Sequence, residues 1–376
     1  MAWQSFNKKW KVLENMLLAG IVVQVLWIFF LVFPTPVHSH DAVANYALKA
    51  KIFFQTGGIP QGFFGWPELQ VAHPDYPLAL PLLMTWIYEF TGFNDLTVNL
   101  VMPFIYIGFL ALFYALVRRF FSRIYSILAV FLLATIPQVA DYATIIHADL
   151  VLTVFITGAF IYMMRYIREG DMAPLVISSF LFGFSIWTKN EAVVFAGAFL
   201  LVILVFNARV VTGTLVSKLK VIASAFVPLV VVALPWFAVR LFSGAVNSDI
   251  DISGITISGL WDNVKDIPIL LNLFQQEVFG PKKWNIFWVL FFAVLIWKRG
   301  CLLKGEAFYM TMFLILSVVG YFSGYMLTTG GNLYFYVNTT ISRFMLHFSG
   351  ICMFYMMYLV RDDIGGVLGG NVECKT

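Results

Sequence analysis

The chain has 376 residues, of which 61% are hydrophobic and only 12% charged, with a formal net charge of +4; mean hydropathy is +0.86. A soluble domain carries about a quarter charged residues, so this composition excludes a soluble enzyme and predicts an integral membrane protein. No basic run is dense enough for nucleic acid.

The elements are predicted in chain order. A basic start, KKWK, precedes an apolar run at 16–33 that is long enough to cross a bilayer. Pro-Thr-Pro-Val-His follows with no small-residue cleavage site, so the run reads as a retained helix. Further spans are predicted near 96–117, 124–140, 150–164, 174–187, 192–206, 221–242, 284–297, 307–327 and 344–360. This gives an all-α membrane bundle of about ten helices, treated as one domain over 1–365 with a short cytoplasmic tail at 366–376. Cys301, Cys352 and Cys374 have no metal-type spacing, and none falls in an expected outer loop, so no disulfide framework is predicted.

Lys and Arg set the orientation. With the N-terminus in the cytoplasm, the clusters RRFFSR, MRYIREGD and WKRGCLLK all fall inside, and so do sixteen of the twenty-four basic residues. Both termini are then cytoplasmic. The apolar segment Tyr76 to Gly92 would invert every later cluster if it crossed. It is short, holds two prolines and Glu89, and is read as an interfacial helix. Residues 34–95 become one long outer loop with membrane-hugging helices. A second outer loop spans 243–283; it reads either as a structured cover or as a lid over an acceptor site.

The ionisable residues left over by this assignment share one side. Asp41, Lys49, Lys51, Asp75, Asp149, Lys189, Glu191, Arg240, Arg343 and all five histidines sit at outer span ends. Charge at membrane depth is costly and is usually retained for function or pairing. Transfer from a lipid-borne phosphate ester needs cations for the phosphate, a carboxylate for the acceptor proton, and an apolar groove for the tail. Asp41 is the candidate base; Lys189, Arg240 and Arg343 are the candidate phosphate ligands. Each has a plainer reading. Asp41 and Asp149 would cap helices, Lys189 and Glu191 would form a polar turn, Arg240 and Arg343 would snorkel to headgroups, and Tyr76 would join an aromatic belt. His38, His40, Asp41 and His73 also invite a metal reading.

Four stretches resemble the GT-C glycosyltransferases, the superfamily of the protein O-mannosyltransferases and the aminoarabinose transferases. They are HDAVANYALKAKIFFQTGGIP, HPDYPLALPLLMTWIYEFTGFND, HADLVLTVF with SIWTKNEAVVF, and ALPWFAVRLF with SRFMLHFSG. Their order and shared sidedness carry the resemblance over roughly residues 10 to 360. It implies inverting transfer of a sugar from a polyprenyl-phosphate donor on the extracytoplasmic face, to a glycan, lipid or protein acceptor, in what is expected to be a bacterial inner membrane. Asp41 matches the first-loop catalytic carboxylate and Asp149 the second outer-loop acid, while Arg240 and Arg343 match positions near the donor phosphate. His40, His73, Tyr76 and Glu191 are the expected substrate contacts. Asp75 stands where the aminoarabinose transferases carry a lysine, so phosphate contact must come from elsewhere, with Lys189 the candidate. The chain is expected to lack the C-terminal soluble domain of some relatives. No cofactor is required by this chemistry, which leaves room for a divalent metal. The rival readings are a transporter or flippase for a lipid-linked substrate, for which no internal repeat is visible, and a lipid-linked polysaccharide polymerase or ligase.

Overall fold

A computed structural model describes residues 2–66, 73–243, 264–265, 267–327 and 333–363. Among the described residues all regular structure is helical. The α-helices are α1 (Ala2–Val32), then α2 (Leu48–Thr56), α3 (Ala79–Thr91), α4 (Asp95–Asn99), α5 (Val101–Val117), α6 (Arg123–Ala134), α7 (Pro137–Asp141) and α8 (Ala148–Glu169). After them come α9 (Met172–Ile186), α10 (Ala192–Arg209), α11 (Leu215–Ser243), α12 (Ile267–Val278), α13 (Pro281–Trp284), α14 (Phe287–Trp297), α15 (Gly305–Met326) and α16 (Leu333–Leu359).

Every expected span coincides with a helix or a helix pair. By length and composition α1, α4 with α5, α8, α10, α11 and α15 are each long and apolar enough to cross a membrane, and α6, α9 and α14 are shorter apolar helices. The protein is an integral membrane protein. Among the differences from the sequence reading are a break within one span and an early start of another. The run at 124–140 breaks between α6 and α7, because Pro137 opens α7 at a position where its missing N–H is harmless. The last helix starts at Leu333, so Arg343 lies well inside it rather than at its beginning. Of the second outer loop, residues 244–263 and 266 lie outside the described residues, as does the tail at 366–376.

Helix α8 is the hub. It is buried over most of its surface and packs on α5, α9 and α16, while α9 packs in turn on α11, and α10 on α15. The predicted interfacial helix is α3. Leu80, Met84 and Tyr88 bury one face at i, i+4 and i+8, whereas Trp86 and Phe90 are exposed on the other. α3 packs on α2, which follows Asp41 through a π-helical stretch, Ala42–Ala47, and ends at Gly57 with φ +70°, a left-handed cap that suits glycine.

Prolines in α11 are accommodated by its neighbour α9. Beside Pro228, the Ser179 hydroxyl donates to the Ala225 carbonyl and accepts from the Leu229 N–H at 3.0 Å. One side chain thus bridges an interrupted rung of the helix ladder, as a low-dielectric surrounding requires. Near Pro235, Trp187 Nε1 donates to the Val232 carbonyl at 2.7 Å. These bonds anchor the C-terminal end of α9, from which the next turn delivers Lys189.

Candidate active site

The residues singled out in the sequence meet at one end of the bundle. Asp41 follows α1, Asp149 lies in the first turn of α8, Lys189 and Glu191 occupy the α9–α10 turn, and Arg343 projects from α16. The basic clusters at Arg118, Arg165 and Lys298 lie at the opposite helix ends.

Asp41 does not cap the helix it precedes, because its side chain makes no capping bond. It accepts instead from Arg343, with Nη2 2.6 Å from Oδ2, and His40 Nδ1 stands 3.6 Å from Oδ1. Burial raises the Asp41 carboxyl, but the charges of Arg343 and His147 outweigh it and hold the group below its ordinary range. Asp41 therefore stays ionised at neutral pH.

A second cluster lies beneath. Asp149 is fully buried; its Oδ1 accepts from Lys189 Nζ at 2.9 Å and from His347 Nε2 at 3.0 Å, and His147 Nδ1 stands 3.5 Å from Oδ2. Lys189 also pairs with Glu191 at 3.2 Å. His347 Nδ1 meets the Tyr321 hydroxyl at 3.1 Å. One arrangement of protons satisfies both contacts: a neutral imidazole donates from Nε2 to Asp149 and accepts at Nδ1 from tyrosine. His147 Nε2 contacts Ser39 Oγ at 3.3 Å, which ties this cluster to the chain just before Asp41.

Between the clusters opens a cleft of about 260 Å³. Lys189, Glu191 and Arg343 line it, with Asn190, Tyr76 and Tyr321. The sequence-derived residues are thus divided. Lys189, Glu191, Tyr76 and Arg343 face the cleft; Asp41 reaches it through Arg343; Asp149 acts beneath it through Lys189. Arg240 stands behind, its Nη1 donating to Asn190 Oδ1 at 3.2 Å. His40 is exposed, and His73 stacks its ring on Tyr76 at 4.6 Å. Asp75 is fully buried outside the cleft lining. The metal reading gains no geometry: among the described residues no group of three or more His, Cys, Asp or Glu side chains could hold an ion. His38 turns instead toward the Pro36 carbonyl at 3.2 Å.

His147, His347, Tyr321 and Asn190 are site residues that the sequence reading did not select. His347 had a usable signal, since it sits four residues after Arg343 and so shares its helix face. His147 had a weaker one, two residues before Asp149 in an extended stretch.

A long apolar cavity of about 430 Å³ runs down between α12, α14, α15 and α16, lined by Phe274, Trp288, Phe292, Leu314, Phe344 and Cys352 among others. Phe344 is adjacent in sequence to Arg343, and its ring stands edge-on to Tyr321 at 4.6 Å. That aromatic pair separates the charged cleft from the apolar cavity.

Comparisons with known proteins agree with this architecture. Residues 75–236 match the family described as dolichyl-phosphate-mannose-protein mannosyltransferase. No curated protein sequence matches the chain. ArnT from Cupriavidus metallidurans, solved bound to undecaprenyl phosphate, is similar in structure with a TM-score of 0.58 at 12% identity, covering 93% of this chain and 60% of its own. The apo oligosaccharyltransferase of Archaeoglobus fulgidus is similar with a TM-score of 0.53 at 12% identity, covering 96% of this chain and 53% of its own. The chain thus spans little more than half the length of these relatives. The chain shares the fold of these two solved structures, and its residues 75–236 match the dolichyl-phosphate-mannose-protein mannosyltransferase family.

Proposed function

We propose that the chain is a membrane glycosyltransferase that moves a sugar from a polyprenyl-phosphate donor to an acceptor hydroxyl or amine on the extracytoplasmic face, with inversion. The observation that carries this reading is the junction at Phe344. On one side stands a guanidinium paired with an ionised carboxylate, on the other an apolar cavity of about 430 Å³. That is the shape of a site for an amphiphile with an anionic head. The ArnT relative solved with undecaprenyl phosphate supports the same ligand class.

The chemistry follows from charge. The cleft and its immediate partners hold two cations, Lys189 and Arg343, and three carboxylates, Asp41, Asp149 and Glu191. Both cations are already paired, so an incoming phosphate must compete for one. Asp149 and Glu191 hold Lys189 from two sides, whereas Arg343 is bound to Asp41 and presents further donors into the cleft. The phosphate takes the guanidinium and frees Asp41. Asp41 then accepts the acceptor's proton as the acceptor attacks the anomeric carbon. The bond from that carbon to the phosphate oxygen breaks, and the polyprenyl phosphate leaves with the electron pair. Attack from the face opposite the leaving group inverts the centre. Lys189, Arg343 and, through Asn190, Arg240 serve the phosphate; Asp149 fixes Lys189; Tyr76 borders the donor's phosphate and sugar, with His73 supporting it, and His40 and Glu191 border the acceptor and sugar.

The test is sugar transfer by the purified chain in nanodiscs, with labelled polyprenyl-phosphate sugars and Asp41→Asn beside wild type. Removal of a general base is expected to lower turnover by roughly 10²–10⁴-fold with donor binding retained. Unchanged turnover in the variant would discard Asp41 as the base. Donor that binds and crosses the membrane without being cleaved would favour the flippase reading.

A further inference from the structure

We infer that Lys49 is a positioning residue of this site: buried behind the cleft wall, it clasps the His73–Tyr76 turn and so fixes where Tyr76 stands. The inference rests on the function proposed above.

Lys49 lies on α2 and is fully buried, as is Asp75. An uncompensated ammonium in such a place costs several kcal/mol, so its surroundings must supply partners. They do. Lys49 Nζ donates to the His73 carbonyl at 2.6 Å, the Asp75 charge acts on it, and it stands 5.6 Å from the centre of the Tyr76 ring. Burial pulls the amine down to about 7, against the opposing pull of Asp75. The same carbonyl accepts the Tyr76 N–H at 3.0 Å, which closes the turn. His73 holds this geometry with φ +45°, a conformation that costs a non-glycine residue energy and persists only where neighbours enforce it. Lys49 is such a neighbour. At the other end of the segment, the Ala79 N–H donates to the Trp187 carbonyl at 2.9 Å, in the turn that delivers Lys189.

The segment is therefore held at two points, and Tyr76 and Pro77 between them form part of the cleft wall that Arg343 also lines. Lys49 is absent from the cleft lining and does not meet the phosphate itself. Its amine serves the turn, and the turn serves the cleft. This also explains the carboxylate at position 75: Asp75 balances the buried lysine rather than facing the donor.

The experiment measures binding of undecaprenyl phosphate to the full chain in nanodiscs, together with the thermal midpoint. Lys49→Met leaves Asp75 buried without its counter-charge and is expected to be destabilised; Lys49→Met with Asp75→Asn removes both charges and is expected to regain stability. Affinity is expected to stay about tenfold or more below wild type in that double variant, the scale of a misplaced contact. Adding Tyr76→Ala is expected to produce no further loss, because the lysine acts through the tyrosine. Recovery of affinity along with stability would make Lys49 merely structural, and an additive loss with Tyr76→Ala would break the proposed link; either overturns the inference. If the double variant does not fold, Lys49→Gln, which keeps a donor for the His73 carbonyl without the charge, is expected to hold affinity near wild type, and loss of affinity with that variant folded would overturn the inference. Failure of wild type itself to bind undecaprenyl phosphate would count against the proposed donor class and is distinguishable from either result.

Discussion

Asp41 and Arg343 form an ion pair with two uses for one contact. At 2.6 Å, with both side chains about a third exposed, the pair keeps the carboxylate ionised and, in the proposed reaction, occupies the guanidinium until the donor phosphate arrives. The sign of its pH effect follows. A carboxyl whose pKa is depressed in the folded protein is charged at neutral pH, and what depends on that charge is lost as pH falls through the depressed value. Arg343→Gln removes the main attractive charge and leaves the burial that raises the carboxyl. The acid limb of the kcat/KM profile is therefore expected to move to higher pH, together with a fall in donor affinity. An acid limb that stays in place while affinity falls would separate Arg343 from the base. At this scale much was legible in the sequence. Asp41, Lys189 and Arg343 stood out as charges left on one side once the positive-inside rule had claimed the rest. What was not legible is which of them touch. Asp149 reads as a capping acid at a helix start, but His347 meets it from a helix nearly two hundred residues later. No spacing rule reports such convergence.

Elements carry the site through their packing, and the α9–α11 pair shows how. Gly183 sits where a Cβ would come within 2.9 Å of Val232 Cβ and 3.0 Å of the Leu229 carbonyl, so the helices approach too closely for any side chain at that position. Close approach brings Ser179 against the interrupted rung of α11. Ser179→Ala would leave both a donor and an acceptor unpaired in a dry surrounding, at about 1–3 kcal/mol. It is expected to lower the thermal midpoint and, because α9 delivers the Lys189 turn, to weaken donor binding more than substitutions of equal stability cost at the opposite end of the bundle. Equal losses of binding from both would show that α9 does not position the turn. The helices themselves were readable from apolar runs. The errors have physical causes. The break before Pro137 falls inside a continuous apolar run, which hides it from a hydropathy reading. The early start of α16 is masked by Asn338, Thr339 and Thr340, whose polarity ends the apolar signal while the backbone continues as helix.

On the scale of the whole molecule, the two spaces must work as one if the donor is an amphiphile. The charged cleft and the apolar cavity meet at the Phe344–Tyr321 pair, and the cavity runs along α15 and α16 toward the opposite end of the bundle, reaching Leu302 and Tyr355. A second apolar hollow lined by Ile267, Leu270 and Met326 shares Leu271, Val319 and Phe322 with it. A head group bound beside Arg343 would lead its tail past Phe344 into this space, burying methylenes worth about 0.8 kcal/mol each. The contribution of the cavity can be isolated from that of the head site. Leu314 lines the cavity on α15, apart from the cleft-lining residues, so Leu314→Trp fills the tail path and leaves the charged groups in place. With donors of different isoprenoid length, the variant is expected to lose at least about tenfold in affinity for the long chain, equivalent to roughly 1.4 kcal/mol, and to bind the shortest chain as wild type does. Equal weakening for all lengths would place the tail elsewhere on the bundle, and leave the head site at Arg343 to be judged by its own variants.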